Sequence, residues 1–228
     1  MSKQYITVKV LLVSFLLFFS TTSVFAATKS IGILVYDDFL GGDVTAPMEV
    51  FGAASKNSWF SDYEVKLISI KQDKKVTTAE GLTLLATHTI FDENLDLDVL
   101  LLPSRYDMSA LISDQELVTF IKEQAQKVEW LASNCSGAML LGEAGVVDGY
   151  SITTWAGGES SLQSSYPNLN VVTDQNVVID RNLISSNGSV VSYEAALVLL
   201  SKLSSEKKAK EIEDYIQLTR LTKTSLFN

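Results

Sequence analysis

The sequence predicts an α/β fold in which helices cover both faces of an open, mostly parallel sheet. Short runs of β-branched and aliphatic residues alternate along the chain with amphipathic segments. The run at residues 98–103 is apolar almost throughout, which is typical of a central strand buried on both faces. Apolar residues make up 46% of the 228-residue chain, enough to fill the core of one domain.

Each element follows from this periodicity. The predicted strands are residues 31–36, 64–70, 98–103 and 128–133, with further sheet-like stretches at 151–155, 171–172, 177–180 and 183–186. The predicted helices are residues 43–54, 114–126, 135–143, 190–203 and 206–218. Asp114 stands near the start of its helix, with Phe120 and Ile121 on the inner face. Functional sites in such sheets form at the carboxyl ends of the strands.

The first residues have the pattern of a signal peptide. Lys3 and Lys9 precede an apolar run at residues 10–19, and small or aliphatic residues stand before a predicted cleavage after Ala26. A retained membrane anchor is the alternative, but the run is shorter than the roughly 20 residues that span a bilayer. We therefore expect a signal peptide at 1–26 and one domain at 27–228. The processed protein is expected to be periplasmic or secreted, without stable membrane insertion.

The charge of the chain limits its partners. A net charge of −9 and a pI near 4.6 argue against binding to nucleic acid or anionic lipid, which need a basic face. A small-molecule substrate or a second copy of the chain remains. With one histidine and one cysteine, the sequence shows no metal-ligand spacing, and it has no phosphate-binding glycine loop. We expect no metal and no cofactor.

The single cysteine, Cys135, lies between a predicted strand and a predicted helix. A sharp turn there projects the thiol from the sheet, and the N–H groups and dipole of the helix are expected to lower the thiol pKa. The N–H of Ser136 is available for a developing oxyanion. The alternative is a buried structural cysteine, because free cysteines are often buried.

A nucleophile needs an acid or base partner. His88 is the only histidine, and its position between a strand-like stretch and residues 91–93 favours a loop or strand-end residue over the partner in a Cys–His pair. A carboxylate is the remaining choice. Asp43 follows the first strand, and the carboxyl ends of adjacent parallel strands meet, so Asp43 is the candidate. The alternative role for Asp43 is the N-cap of the helix that begins near Val44.

Several motifs in order carry a family resemblance. Residues 36–39 read Tyr-Asp-Asp-Phe, and residues 43–51 place an acidic residue four positions before a proline. Residues 134–138 read Asn-Cys-Ser-Gly-Ala, and residues 185–188 read Ser-Ser-Asn-Gly before a Tyr-Glu-Ala-Ala-Leu segment. As a set covering nearly all the chain after residue 26, these motifs resemble the ThiJ/PfpI family.

The resemblance implies a flavodoxin-like, three-layer α/β/α sandwich of the class I glutamine amidotransferase superfamily, commonly a homodimer. It maps the acid of the family onto Asp43, the nucleophile onto Cys135 and the residue after it onto Ser136. In the isonitrile hydratase branch, which the opening motif most resembles, Cys135 would attack the electrophilic carbon and Asp43 would protonate it. Water would then release a formamide-type product. A carboxylate beside a thiol implies one proton shared by the pair.

The chain departs from the family pattern at four positions that we take as substrate-binding candidates. Ser104 and Arg105 follow Pro103 where the family usually has Pro-Gly-Gly, Trp155 stands where a histidine is common, and Asn187 replaces an alanine. Arg105 either stabilises an anion or points to solvent.

Three functions fit this sequence. The first is an exported cysteine-dependent hydratase or hydrolase that acts on an isonitrile or amide type of carbon. The second is a non-catalytic protein of the same fold that binds a small molecule, senses oxidation or acts in stress. The third is a glyoxalase or deglycase type of activity, which needs the same acid and thiol.

Overall fold

The computed structural model describes residues 28–57 and 63–221. The strands in chain order are β1 (Lys29–Val35), β2 (Tyr63–Ser69), β3 (Lys75–Thr77), β4 (Thr83–Leu85), β5 (His88–Thr89), β6 (Val99–Leu102), β7 (Trp130–Asn134), β8 (Ser151–Ile152), β9 (Asn170–Val171), β10 (Val177–Asp180) and β11 (Leu183–Ser186). The helices are α1 (Gly41–Lys56), α2 (Ser109–Ile112), α3 (Gln115–Ala125), α4 (Ala138–Ala144), α5 (Glu159–Ser165), α6 (Val191–Leu203), α7 (Glu206–Tyr215) and α8 (Leu218–Leu221). The predicted signal peptide at 1–26 lies outside the described residues.

Seven strands form the main sheet in the order β10-β11-β7-β6-β1-β2-β5. Every neighbouring pair is parallel except β10 with β11. Two small ladders, β3 with β4 and β8 with β9, stand apart from it. Helices α1, α6 and α7 contact one another as one group, and α2, α3 and α4 form another. The predicted α/β sandwich with a mostly parallel sheet is confirmed.

Strand β6 lies at the centre of this sheet. All four of its residues are buried, between β1 on one side and β7 on the other. A strand without a solvent-facing side has no reason to alternate polar and apolar residues, which explains its uniformly apolar sequence. The carboxyl end of β6 therefore opens beside those of β1 and β7, where the candidate site residues lie.

Helix α3 begins as the sequence predicts. The carboxylate of Asp114 accepts hydrogen bonds from the N–H groups of Glu116 at 3.0 Å and Leu117 at 3.1 Å, which occupies two donors that have no partner within the helix. Phe120 and Ile121 are buried on its inner face. Both predictions for this helix are confirmed.

Other boundaries depend on contacts distant in sequence. The predicted helix at 43–54 begins earlier, at Gly41, whose N–H donates to the Glu80 carboxylate 39 positions away at 3.1 Å. The predicted helix at 206–218 is wrong at its end, because Gln217 takes a left-handed φ of 65° and separates α7 from α8. The predicted strand at 151–155 is wrong beyond residue 152, where the chain leaves β8.

Strands β3, β4 and β5 and helices α2 and α5 are absent from the sequence-based prediction. They are short, from two to seven residues, so each offers too little periodicity to detect. His88 lies in β5, at the edge of the main sheet. Within the described residues, no helix is long and apolar enough to cross a membrane.

Candidate active site

Cys135 occupies a strained turn between β7 and a 3₁₀ turn, Cys135–Gly137, that leads into α4. Its φ of 53° lies in the left-handed region, which costs a non-glycine residue about 1–2 kcal/mol. This turn, Cys135–Gly137, is the elbow, and it packs closely against the end of β6. A Cβ added at Gly137 would lie 2.2 Å from the carbonyl oxygen of Leu102. Only glycine allows this approach. The Thr154 hydroxyl donates to the Cys135 carbonyl oxygen at 2.8 Å and holds the other side of the turn.

Asp43 projects from the first turn of α1 into the protein, and its side chain is fully buried. Oxygen Oδ2 accepts hydrogen bonds from the Ser104 N–H at 3.0 Å and from the Ser104 hydroxyl. Oxygen Oδ1 accepts from the Ser189 N–H at 2.7 Å and the Ser192 hydroxyl at 3.0 Å. Four donors fill the acceptor capacity of one buried carboxylate. The alternative role of Asp43 is excluded, because the N-cap of α1 is Leu40.

Gly188 shows how close the acid and the nucleophile are. A Cβ added there would lie 2.5 Å from the Cβ of Cys135 and 2.9 Å from Oδ1 of Asp43. Gly188 also has a left-handed φ of 79°. The structure thus brings together the two residues that the sequence proposed as nucleophile and acid, with a glycine in the narrow space beside them.

Burial is the main influence on the pKa of the Cys135 thiol. Burial first, and then the negative charge of Asp43, raise the pKa of Cys135, while the Ser104 side chain and the Ser136 N–H lower it by smaller amounts. The expectation of a lowered pKa is therefore wrong. The turn that follows Cys135 is only three residues long, and its N–H contribution does not offset the loss of water around the sulfur.

Tyr36, at the end of β1, completes the buried surroundings. Its hydroxyl donates to the carbonyl oxygen of Pro103. Burial and then the charge of Asp43 hold the pKa of Tyr36 well above its ordinary value, with a smaller contribution from Cys135. The phenol stays neutral, and its hydroxyl keeps the proton that it donates in the hydrogen bond to the Pro103 carbonyl oxygen.

Ser136 joins the elbow to the segment after β6. Its hydroxyl donates to the carbonyl oxygen of Arg105 at 2.8 Å and accepts from the Arg105 N–H at 3.3 Å. The backbone N–H of Ser136 lowers the pKa of Cys135 by less than burial and the Asp43 charge raise it. The side chain of Ser136 is thus structural, whereas its backbone N–H acts on the thiol.

The four substrate-binding candidates separate into different roles. The Ser104 hydroxyl is bonded to Asp43, and Asn187 Nδ2 donates to the Thr154 carbonyl oxygen at 2.6 Å. Arg105 pairs with Asp38 at 3.6 Å, so its guanidinium faces a carboxylate. The Trp155 ring covers Gly158, where an added Cβ would lie 1.8 Å from the ring. Of the four, only Ser104 contacts the acid.

Sequence reasoning missed three contributors. Ser189 and Ser192 reach Asp43 from 146 and 149 positions away, and one of them acts through its backbone N–H, which no side-chain pattern reveals. The third is Asn134, whose Oδ1 accepts a hydrogen bond from the Ser186 hydroxyl at 2.6 Å. The Ser186 hydroxyl oxygen in turn accepts from the Gly188 N–H at 3.1 Å. Among residues 28–57 and 63–221, no group of three or more His, Cys, Asp or Glu side chains is placed to hold a metal ion.

Comparison with known proteins identifies the family of the chain. The model of the DJ-1/PfpI family matches residues 29–202. The isonitrile hydratase of Pseudomonas putida is 30% identical over 175 residues, which cover 76% of this chain and 71% of that protein.

Two solved structures share the fold. A ThiJ/PfpI family protein from Pseudomonas syringae superposes with a TM-score of 0.75 at 25% identity, covering 88% of this chain and 78% of that one. DJ-1beta of Drosophila melanogaster superposes with a TM-score of 0.72 at 21% identity, covering 83% of this chain and 97% of that one. With Cys135 at the nucleophile elbow and a family model that spans most of its length, the chain belongs to the DJ-1/PfpI family.

Proposed function

We propose that this protein is a cysteine-dependent hydratase or hydrolase that acts on a small electrophilic carbon of the isonitrile or amide type. The observation that carries the proposal is the fully buried Asp43 carboxylate held beside the Cys135 elbow by four hydrogen-bond donors. A relative at 30% identity is an isonitrile hydratase, which favours the isonitrile as the first substrate to test. We also propose that the protein acts as a homodimer after export.

The reaction divides into two additions. The sulfur of Cys135 forms a bond to the terminal isonitrile carbon, while the thiol proton passes through Asp43 to the same carbon, giving a thioimidate. Water then adds across the C=N bond, with its oxygen on the carbon and one proton on the nitrogen, and the C–S bond breaks as the second proton of the water returns to the sulfur. The product is a formamide, and the enzyme returns to its starting state. Overall, one water is consumed for each isonitrile.

A raised thiol pKa suits this sequence of steps. At neutral pH the thiol of Cys135 keeps its proton, and the nearby carboxylate is the base that takes it when the substrate carbon arrives. The proton that leaves the sulfur is then the one that the carbon needs, so none has to come from bulk water. Burial of Asp43 keeps this transfer away from solvent.

The same pKa disfavours the oxidation-sensing alternative. The thiolate, not the thiol, is the form that oxidants attack, and burial with the Asp43 charge reduces its fraction at neutral pH. A sensor cysteine generally has the opposite electrostatic environment. The structure therefore supports a nucleophile that is activated by substrate over a thiol that reacts with oxidants at rest.

The test is product formation by the purified protein with an alkyl isonitrile, followed as formamide by mass spectrometry. Cys135→Ser should abolish turnover, and Asp43→Asn should lower kcat by about 100-fold or more, the range of general acid–base catalysis. Asp38→Asn, which removes an exposed carboxylate from the same end of the sheet, is the matched control and should keep its rate. A parallel assay with a dicarbonyl tests the glyoxalase or deglycase alternative. Folded wild-type protein that hydrates no isonitrile and hydrolyses no amide would refute the proposal.

A further inference from the structure

Thr154, two residues beyond the end of β8, is fully buried. Its hydroxyl donates to the carbonyl oxygen of Cys135 at 2.8 Å, across 19 positions of sequence. The same carbonyl oxygen accepts from the N–H of Ala138, a donor that it shares with the carbonyl oxygen of Ser136. Within the described residues, no other side chain hydrogen-bonds to the backbone of Cys135. Thr154 is thus the side chain that holds the backbone of the nucleophile.

The backbone of Cys135 needs such a contact. A residue other than glycine keeps a left-handed φ, here 53°, only where its surroundings fix it. The peptide group that follows Cys135 is planar, so a hydroxyl that holds its carbonyl oxygen also fixes the orientation of the whole plane. This contact therefore limits the rotation of the Cys135 backbone, and with it the direction in which the side chain leaves the turn.

The segment that holds the acid also holds Thr154. Asn187 Nδ2 donates to the carbonyl oxygen of Thr154 at 2.6 Å. Gly188 and Ser189 follow Asn187 directly, and the N–H of Ser189 donates to Oδ1 of Asp43 at 2.7 Å. One short segment after β11 thus holds the carboxylate directly and the nucleophile through Thr154.

We propose that Thr154 is a positioning residue that keeps the thiol of Cys135 beside the carboxylate of Asp43, and that Asn187 anchors it. The Thr154 hydroxyl and Asn187 Nδ2 each donate to a backbone carbonyl oxygen, so both act through Cys135. This role for Asn187 differs from the substrate binding that the sequence suggested. The inference rests on the proposed function, because a thiol and a carboxylate that exchange a proton must stay within reach of each other.

Three variants separate positioning from a general loss of packing. Thr154→Val keeps the branched shape and removes the hydroxyl, and Thr154→Ser restores a hydroxyl without the methyl group. Thr153→Val is the matched control, because Thr153 is also fully buried and its hydroxyl also donates to a backbone carbonyl oxygen, that of Gln175 at 3.3 Å. Thr153 Oγ1 accepts from Asn187 at 3.4 Å, but Asn187 keeps its shorter bond to Thr154 in the control.

The first readout is formamide production from an alkyl isonitrile, which gives kcat and KM. Thr154→Val should lower kcat at least about 10-fold and change KM less than about 3-fold, because a displaced nucleophile slows the chemical step more than it weakens binding. Thr154→Ser and Thr153→Val should keep kcat within about 3-fold of the wild type. A wild-type kcat in Thr154→Val, an equal loss in Thr153→Val, or no recovery in Thr154→Ser would overturn the proposal.

The second readout needs no turnover. If the thiol leaves its buried place beside Asp43 in Thr154→Val, the midpoint of alkylation by iodoacetamide should fall towards the ordinary pKa of about 8.5. Thr153→Val and Thr154→Ser should keep the wild-type midpoint. An unchanged midpoint in Thr154→Val would overturn the positioning role. A lowered midpoint in a protein that hydrates no isonitrile would refute the proposed function, and it would support the positioning of the thiol by Thr154.

Asn187→Ala provides a second route should Thr154→Val fail to fold, which urea unfolding checks. It leaves the Thr154 hydroxyl in place and removes the anchor of the Thr154 backbone. We expect a lower kcat with KM within about 3-fold of the wild type, and an alkylation midpoint that moves in the same direction as in Thr154→Val. A raised KM with an unchanged kcat would make Asn187 a substrate-binding residue and would overturn its anchoring role.

Discussion

The side-chain amide of Asn134 donates to the backbone carbonyl oxygen of Asp43 at 3.0 Å, across 91 positions of sequence. In an uninterrupted helix that carbonyl would accept from the N–H of residue 47. Residue 47 is Pro47, which lies inside α1 and has no N–H. The residue before the nucleophile thus satisfies the group that the proline leaves without a helical partner. This hydrogen bond therefore links the start of α1, which contains Asp43 and Pro47, to the Cys135 elbow as one unit.

Replacing Asn134 should weaken this unit measurably. Asn134→Ala removes the donor and leaves the Asp43 carbonyl buried without it, which should lower the free energy of unfolding by about 1–3 kcal/mol. Asn168→Ala removes an exposed amide that bonds to Asp148 at 3.0 Å, and it should cost less than about 1 kcal/mol. Urea unfolding of both variants measures the difference. Asn134→Ala also removes the acceptor of the Ser186 hydroxyl, so equal losses would show that the two buried hydrogen bonds of this side chain together contribute no more than a surface contact.

Neutralising Asp43 should make the thiol more acidic. The charge of Asp43 is a cause of the raised pKa of Cys135, second to burial, so Asp43→Asn should move the alkylation midpoint to lower pH. Asp38→Asn removes the same charge from an exposed position outside the surroundings of the sulfur, and it should leave the midpoint unchanged. Alkylation by iodoacetamide, followed by mass spectrometry, measures both. A midpoint that rises in Asp43→Asn would contradict the electrostatic account of the site.

The raised thiol pKa also predicts how stability depends on pH. Below the ordinary value of about 8.5, Cys135 is neutral in the folded and unfolded states and has no effect. Above it the unfolded chain ionises first, since the folded pKa is higher, so stability falls as pH rises towards the folded pKa. The loss is at most about 1.4 kcal/mol per pH unit.

Comparison with Cys135→Ser isolates this contribution, because the other titrating groups are the same in both proteins. Denaturant unfolding from pH 7 to 10 should show a steeper loss of stability above about pH 8.5 in the wild type than in Cys135→Ser. The two tyrosines whose pKa values are raised to about 12, Tyr166 and Tyr193, do not titrate in this range. Parallel curves would mean that the folded and unfolded thiols have the same pKa.

Prediction from sequence succeeded where a local pattern of residues determines the structure. The uniform apolarity of β6 indicated a central strand, and Asp114 marked the start of α3 through a bond to its own first turn. Cys135 was recognised because a strand, a small-residue turn and a helix follow one another directly. In each case the deciding contact lies within a few residues or follows from the burial of a whole strand.

The remaining features depend on contacts that no local pattern contains. Glu80 sets the start of α1 from 39 positions away, and Ser192 reaches Asp43 from 149 positions away. Ser104 looked like a residue facing substrate, but its hydroxyl turns to the acid. Whether the pKa of the Cys135 thiol rises or falls depends on how deeply the sulfur is buried, and this cannot be read from the order of residues in the sequence.

Gly188 offers the sharpest test of how closely the acid and the nucleophile approach. In Gly188→Ala, the new residue would keep a left-handed φ of 79°, and its Cβ would lie 2.5 Å from the Cβ of Cys135 and 2.9 Å from Oδ1 of Asp43. In Gly81→Ala, the new residue would keep a left-handed φ of 90°, but no atom of the described residues other than its chain neighbours would lie within 4 Å of its Cβ. Backbone strain of about 1–2 kcal/mol is common to both, and crowding should add about 1–3 kcal/mol at Gly188 alone. Urea unfolding and isonitrile turnover should therefore show a larger stability loss and a loss of activity in Gly188→Ala, with activity retained in Gly81→Ala. Full activity in Gly188→Ala would mean that the thiol and the carboxylate can separate without consequence, which is incompatible with a proton passing between them.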